Sequence, residues 1–365
     1  MTVKPILFND FQAEYKELKK EILTAIERVF SSGCYLLGPE TVAFEQELAS
    51  ILGFKYVVAV ANGTEAIAIA LLAAGIKPGD EVIIPALTAY PTVIGIEMAG
   101  AVPVVCDVEA DTGLLDPNLL HKRITRKTKV IMPVHLYGQV CNMSEISAVA
   151  TAHDLQIIED NAQVIFAKHQ EEVAGSWSRI CATSFYPSKN LGAYGDAGAV
   201  ITNDSKFYEQ AKRLRQCGQS SRYVHEEFGF NSRIDELQAA ILRVKIPHVD
   251  SWIKRRRQIA SYYHRHILVG KALSEYAGNF HTYHLFVTRL RNRPKFLAHC
   301  ERHQLPTLIH YPRTVYQQPA FQKGRFQACP NAEMLVNQIV SLPIHPYLSD
   351  SQVEKICRIV NSYNE

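Results

Sequence analysis

At 365 residues the chain exceeds what a single small core requires, and a net charge of only +3 gives its summed field no reason to attract nucleic acid. A composition of 47% hydrophobic and 21% charged residues excludes a disordered, collagen-like or disulfide-dense protein. No apolar stretch approaches bilayer length and residues 1–12 lack a charged-then-apolar export pattern, so no membrane association is expected and the cytoplasm is the expected compartment.

Between residues 56 and 203 short apolar runs alternate with segments of helical period. The runs are Tyr56–Val60, Glu81–Pro85, Val102–Asp107, Lys129–Val134, Leu155–Ile158, Cys181–Phe185 and Gly198–Thr202. Thr64–Ala74, Pro91–Ala99, Asp116–Arg123 and Met143–His153 lie between them and read as crossover helices. This alternation predicts an α/β fold, a mostly parallel seven-stranded sheet covered by helices on both faces, with ligands at the carboxyl ends of its strands.

After Val200 the sequence turns helix-rich, over 205–217 and 234–245 and then through Ser251-Trp-Ile-Lys-Arg-Arg-Arg-Gln-Ile-Ala-Ser-Tyr-Tyr263. Trp252, Ile253, Ile259 and Tyr263 recur at helical intervals, so the basic run 254–257 is expected to form the wet side of an amphipathic helix. Beyond about residue 270 come shorter strand-like pieces such as Tyr283–Arg289, with many prolines. The expected organisation is a large domain over 1–245 and a smaller C-terminal α/β domain over 246–365. Eight scattered cysteines, without a Cys-x-x-Cys pair or histidines at zinc spacing, read as reduced and mostly buried, with no metal site.

Three places carry chemistry. Asn62-Gly63-Thr64 opens a helix after the first run, and free backbone N–H groups beside a hydroxyl accept a phosphate; read alone, such a start is more often just a turn and a cap. Asp160 sits at the end of an apolar run, where a carboxylate must find a cation or donors, as it would also in a structural ion pair. Lys189 lies in a turn between two apolar runs, where desolvation would lower its pKa toward that of an attacking amine. Gly192, Gly195 and Gly198 precede a strand, so they are no dinucleotide fingerprint; they read as letting backbone fold closely around a bound group. Helix start, aspartate and lysine fall in the order expected of a pyridoxal phosphate enzyme.

The chain resembles the DegT/DnrJ/StrS-type nucleotide-sugar aminotransferases, a branch of the fold-type I pyridoxal phosphate enzymes. The likeness runs from Ser31-Ser-Gly-Cys-Tyr-Leu-Leu-Gly-Pro-Glu40 to Ser341-Leu-Pro-Ile-His-Pro346. Between them lie Gly79-Asp-Glu-Val-Ile-Ile-Pro85, His135-Leu-Tyr-Gly-Gln139, Glu159-Asp-Asn-Ala-Gln163, the lysine segment, and Gly229-Phe-Asn-Ser-Arg-Ile-Asp-Glu-Leu-Gln-Ala-Ala240. The resemblance implies Lys189 as the Schiff-base lysine, Asp160 as partner of the pyridine nitrogen, and Gln163 near the phenolic oxygen. It implies Gly63, Thr64 and Ser184 as phosphate ligands within one subunit and Asn231 as a residue lent to the neighbouring subunit, hence a homodimer with shared sites.

Two departures stand out. Where many relatives carry a ring-stacking aromatic after the threonine of Pro-x-x-Thr, this chain has Ala89 followed by Tyr90, so either Tyr90 stacks or something smaller covers the ring. The acidic motif continues Val164-Ile-Phe where small residues and a glycine or histidine are usual. Glutamate is the implied amino donor, and Tyr186, Arg222, Tyr223, His310 and Tyr311 are the candidates for holding a sugar nucleotide, each equally readable as a packed aromatic or ordinary loop residue. Thr88-Ala89, Ile309-His-Tyr-Pro312 and Gln317-Gln-Pro-Ala-Phe321 lean toward a dTDP-linked 3-keto-6-deoxyhexose, with 4-keto sugars on UDP, GDP or dTDP as rivals. Relatives that dehydrate sugars carry histidine where this chain has Lys189. A non-catalytic regulatory role would use the basic run but leave Lys189, Asp160 and Gln163 together unexplained.

Overall fold

The computed structural model describes residues 5–364. Helices α1 (Phe11–Ser32) and α2 (Pro39–Leu52) lead into β1 (Tyr56–Val60), α3 (Gly63–Ala73), β2 (Glu81–Pro85), α4 (Pro91–Met98), β3 (Val102–Cys106) and β4 (Thr128–Ile131). After α5 (Met143–Ala152) come two abutting segments, β5 (Gln156–Ile157) and β6 (Glu159–Asp160), then a hairpin of β7 (Lys168–His169) and β8 (Glu172–Val173), then β9 (Ile180–Ser184) and β10 (Gly198–Thr202). The seven expected runs all form strands. The expected crossover helix at 116–123 is instead a 3-10 turn over Pro117–Lys122, capped by the Asp116 side chain on the Asn118 N–H.

Segment 156–160 joins the sheet's halves, because β5 pairs with β4 and β6 pairs with β9, both in parallel. The Ile158 N–H to Ile131 carbonyl (3.2 Å) and Asp160 N–H to Pro133 carbonyl (3.0 Å) bonds carry the pairing across the break. The resulting order is β3, β2, β4, β5/β6, β9, β10, β1, with β10 antiparallel to both its neighbours and every other pairing parallel. Six of the seven strand ends therefore point the same way.

Successive side chains on a strand face opposite ways, and here both faces are covered. Val58 and Val60 of β1 join one core with Ile67, Leu71 and Ile83, while Val57 and Ala59 join a second with Phe44, Leu48 and Leu242. This is why the runs read as continuously apolar instead of alternating.

The chain continues through α6 (Ser205–Leu214), a hairpin of β11 (Gln219–Ser221) and β12 (Val224–His225), α7 (Glu236–Lys245) and α8 (Val249–His266). A three-stranded antiparallel sheet of β13 (Lys271–Ala272), β15 (Phe286–Arg289) and β16 (Ile339–Leu342) follows, and β14 (Asn279–Phe280) pairs with β7. With α8, α9 (Arg293–Arg302) and α11 (Asp350–Asn361) it builds a third core around Ile259, Tyr263, Phe286, Phe296, Val340 and Val360, while α10 (Pro330–Gln338) turns its buried side to the first core. Leu285, Val287 and Leu335 pack in the first core, tying this part to the large sheet.

The basic run on α8 is not the wet face expected. Lys254 is exposed, but Arg256 is buried and donates to the carbonyls of Ile344 (2.6 Å), Tyr283 and His284 (both 3.3 Å). Arg255 donates to the Leu348 carbonyl (2.6 Å) and Arg257 to that of His281 (2.7 Å). Loop carbonyls that lack ladder partners need donors, and a guanidinium with five N–H groups supplies them.

Helix α2 begins at Gly38, which has no side chain to cap it, and the buried carboxylate of Glu236 on α7 does so instead. It accepts from the N–H groups of Gly38 (2.9 Å), Glu40 (2.8 Å) and Thr41 (2.8 Å), and from the Thr41 hydroxyl. Removing it strands buried donors at a positive helix end. Glu236→Ala is expected to destabilise the protein by about 3 kcal/mol, measured by urea unfolding, with Glu236→Gln recovering part of that loss.

Candidate active site

The loops after β1, β2, β4, β6 and β9 gather at one edge of the sheet, and each brings a polar group. After β1, the Asn62 side chain caps α3 by accepting the Glu65 N–H (2.9 Å), leaving the first-turn N–H groups of Gly63 and Thr64 without intrahelical partners. Gly63 is required here, since a Cβ would lie 2.7 Å from Cβ of Ser184 at the end of β9. That close approach sets the Ser184 hydroxyl beside the helix start, where it accepts the Tyr186 N–H (3.2 Å). Three other glycines allow close backbone approach: a Cβ on Gly192 would meet the Pro187 carbonyl, on Gly195 the Gln238 side chain, and on Gly198 the backbone of Asn62 and Gly63 at the helix start.

Asp160 is buried at the end of β6. Its Oδ1 accepts the Ala162 N–H (3.0 Å) and its Oδ2 the Thr92 hydroxyl (2.9 Å). Burial pushes its carboxyl above the usual carboxylate range, and these two donors with the charge of Lys189 pull against that shift. On the strand's other side the fully buried Glu159 accepts from His135 Nε2 (2.9 Å) and from the Gly175 N–H (2.7 Å). The Cys141 N–H donates to His135 Nδ1 (3.1 Å), so Nδ1 carries no proton and Nε2 is the donor.

Lys189 stands in the turn after β9, its N–H on the Tyr186 carbonyl (2.8 Å) and its side chain half-buried. Burial pulls its ammonium down to about 8, against the opposing attraction of Asp160. The adjoining Asn190 donates to the Thr282 carbonyl (3.0 Å), stapling the turn to the segment that carries His284. Burial and the charge of Lys189 lower both His284 and His310, the latter to about 4, so both imidazoles are neutral near pH 7.

Gln163 is held at both ends of its amide. Its Oε1 accepts the Tyr137 N–H (2.8 Å) and its Nε2 donates to the Tyr311 hydroxyl (3.1 Å). Tyr137 adopts a left-handed backbone (φ +65°), and its hydroxyl donates to the His310 carbonyl, while His310 Nδ1 meets the Ser341 hydroxyl (2.9 Å). Burial pushes the Tyr311 phenol up to about 12, so it stays protonated.

The structure thus brings Asp160, Gln163, Lys189, His310 and Tyr311 into one group, with Gly63, Thr64 and Ser184 along the same sheet edge. Tyr90 is half-buried at the start of α4, its hydroxyl unpaired among the described residues and its phenol raised by burial and by Glu97. Tyr186 and Tyr223 are exposed. The Arg222 guanidinium stacks over the Tyr223 ring (5.0 Å to its centroid) at the tip of the β11–β12 hairpin, and exposed Asn231 accepts from Arg233. None of these four bonds to Asp160, Gln163 or Lys189 among the described residues. Sequence reasoning missed Thr92, Tyr137 and the His135–Glu159 pair. Only the pair left a signal, as a histidine and a carboxylate each at the end of an apolar run.

No three or more His, Cys, Asp or Glu side chains gather to hold a metal ion, no disulfide forms, and no helix is long and apolar enough to cross a membrane, all among the described residues. A mostly parallel sheet of this order, with a lysine turn after β9 and an aspartate ending β6, is the large-domain architecture of fold-type I aminotransferases. The profile of the DegT/DnrJ/EryC1/StrS aminotransferase family matches residues 16–361, and the chain belongs to that family. It is 42% identical over 357 residues to the erythromycin biosynthesis sensory transduction protein EryC1 of Saccharopolyspora erythraea, covering 96% of this chain and 97% of that one. It is 39% identical to the dTDP-3-amino-3,4,6-trideoxy-alpha-D-glucose transaminase of Streptomyces venezuelae, covering 98% and 96%. The crystal structure of S. venezuelae DesV in complex with a ketimine intermediate superposes with a TM-score of 0.95 at 38% identity, covering 98% of each chain. Other relatives bear names with UDP- or GDP-linked sugars.

An amine with a pKa near 8 is reactive toward an aldehyde well below the pH at which an ordinary lysine is. In the cofactor-free protein, reductive methylation of Lys189 is expected to rise with a midpoint near pH 8. Asp160→Asn removes the negative charge that favours the ammonium, so the midpoint should move lower; mass spectrometry across a pH series reads both.

Proposed function

We propose that this protein is a pyridoxal phosphate-dependent aminotransferase carrying an amino group from glutamate to a nucleotide-linked ketosugar, with a dTDP-linked 3-keto-6-deoxyhexose as the acceptor. The observation that carries this reading is a half-buried lysine, shifted down to about 8, that shares its field with a buried, donor-bound carboxylate at the carboxyl edge of the sheet. The acceptor rests on the Thr88-Ala89 and Ile309-His-Tyr-Pro312 segments and on relatives named for dTDP-linked amino sugars. A 4-keto sugar is the rival, since relatives of similar identity are named for different sugars.

The residues present fit the cofactor. The free N–H groups of Gly63 and Thr64, with the Ser184 hydroxyl, would take its phosphate, Asp160 its ring nitrogen and Gln163 its phenolic oxygen. When bound, pyridoxal phosphate supplies an aldehyde to receive an amine and a protonated ring that draws electrons from the neighbouring carbon.

The chain's own groups do the rest. With its Oε1 turned to the Tyr137 N–H, Gln163 presents its N–H donors to the site. Asp160, whose carboxylate accepts the Ala162 N–H and the Thr92 hydroxyl, would hold a proton on the ring nitrogen in place. Lys189, partly neutral at neutral pH, serves as nucleophile toward the aldehyde and then as general base at the donor's α-carbon. Neutral His310 and protonated Tyr311 offer hydrogen bonds to sugar hydroxyls without adding charge.

We further infer that two copies complete each site. Phe30, Tyr35, Tyr223 and Phe228 are large and more than half exposed, and Asn231 stands exposed nearby in sequence to Phe228. Tyr186, Arg222 and Tyr223 then await a partner surface or the sugar nucleotide.

The test is purified protein with glutamate and panels of 3-keto and 4-keto nucleotide sugars, following 2-oxoglutarate. Release with the dTDP-linked 3-keto sugar is expected, and silence on every panel rejects the proposal. Lys189→Ala should lose the cofactor's visible absorption and lower the rate by roughly 10³-fold or more.

A further inference from the structure

The hydrogen bonds behind Asp160 have a direction. An ionised carboxylate only accepts, so the single proton of the Thr92 hydroxyl points to Asp160 Oδ2 across 2.9 Å. Thr92 can then only accept from the next hydroxyl, that of Thr88 at 3.2 Å, which must donate. Both threonines are buried, so water does not substitute for either link. Their placement is rigid: the Thr92 N–H bonds the Ala89 carbonyl (3.1 Å), and α4 lies so close to α3 that a Cβ on Gly95 would meet the Thr64 carbonyl at 2.7 Å.

We propose that Thr92, oriented by Thr88, is a positioning residue that keeps the Asp160 carboxylate ionised and aimed, and so sets the pH below which the site loses its acceptor for a ring proton. The part concerning the ring proton rests on the function proposed above; the part concerning the carboxylate does not.

The charged and titratable groups around Asp160 leave this task to few others. Lys189 faces it from the turn after β9, and its help disappears whenever that amine is neutral or engaged. His135, from the segment after β4, accepts the Cys141 N–H at Nδ1 and adds a smaller pull on Asp160 in the same direction as Lys189. Tyr311 from the C-terminal part and Cys181 on β9 lie in its field as a neutral phenol and thiol, both raised by burial. Glu159 is turned to its own donors on the opposite side. With Lys189 neutral, the Ala162 N–H and the Thr92 hydroxyl are the donors left to the carboxylate among the described residues.

The test uses cofactor-free protein labelled with ¹³C at aspartate side-chain carboxyls, with the Asp160 signal assigned by its loss in Asp160→Asn. Thr92→Val keeps the shape and removes the donor, and the midpoint of the Asp160 titration is expected to rise by about one pH unit. Thr92→Ser should bring it back to within a few tenths of wild type. In the loaded enzyme the acid limb of the pH–rate profile should move the same way. A folded Thr92→Val with an unmoved midpoint overturns the proposal, because a purely structural threonine would lower the melting temperature and leave the titration alone. Should Thr92→Val not fold, Thr88→Val is expected to raise the midpoint by a smaller amount, and no shift there also overturns it. An inactive, cofactor-free wild type with the Thr92 effect intact would remove the proposed function and leave the carboxylate clamp standing.

Discussion

Burying a carboxylate costs free energy unless donors and a cation meet it, and Asp160 is met from three directions at once. Its own chain supplies the Ala162 N–H, α4 supplies the Thr92 hydroxyl, and the turn after β9 supplies the charge of Lys189. The relation is mutual. Asp160 restrains the burial-driven fall of the lysine, and the lysine restrains the burial-driven rise of the aspartate. Neither group would hold its poise alone, so the sheet edge that juxtaposes them is the part of the fold with least freedom to vary.

That edge is a product of strand direction. Because β10 runs against β1 and β9, those two stay parallel to each other and to the rest of the sheet, and six carboxyl ends open together. Segment 156–160 bonds to both halves of the sheet, so Asp160 occupies the seam between them. Helix α3 then starts against Ser184, which is possible only because residue 63 lacks a side chain.

The C-terminal part closes over this edge through specific bonds. Tyr311 meets Gln163, the His310 carbonyl receives the Tyr137 hydroxyl, and Thr282 is held by Asn190 and by the Gly138 carbonyl. Arg256, read from sequence as a wetted charge, sits beneath this segment and ties the carbonyls of Tyr283, His284 and Ile344 together. A guanidinium is well suited to that task, since its fork of donors can satisfy several loop carbonyls that no ladder reaches.

The sequence by itself determined the seven strands, the helix start at Gly63, and the candidate pair Asp160 and Lys189. Each of these depends on local pattern: continuous apolar runs for strands covered on both faces, a capping side chain before a helix, and a charge stranded at the end of a run. Only the tertiary structure decided the partners. Thr92 on Asp160, Tyr137 on Gln163 and Glu236 on the start of α2 join residues 26 to 198 positions apart, and hydrogen bonds across such separations leave no periodicity in the chain. The fate of the basic run was undecidable for the same reason: whether an arginine faces water or orphaned carbonyls depends on which loop packs against its helix, and that is settled only when the chain has folded.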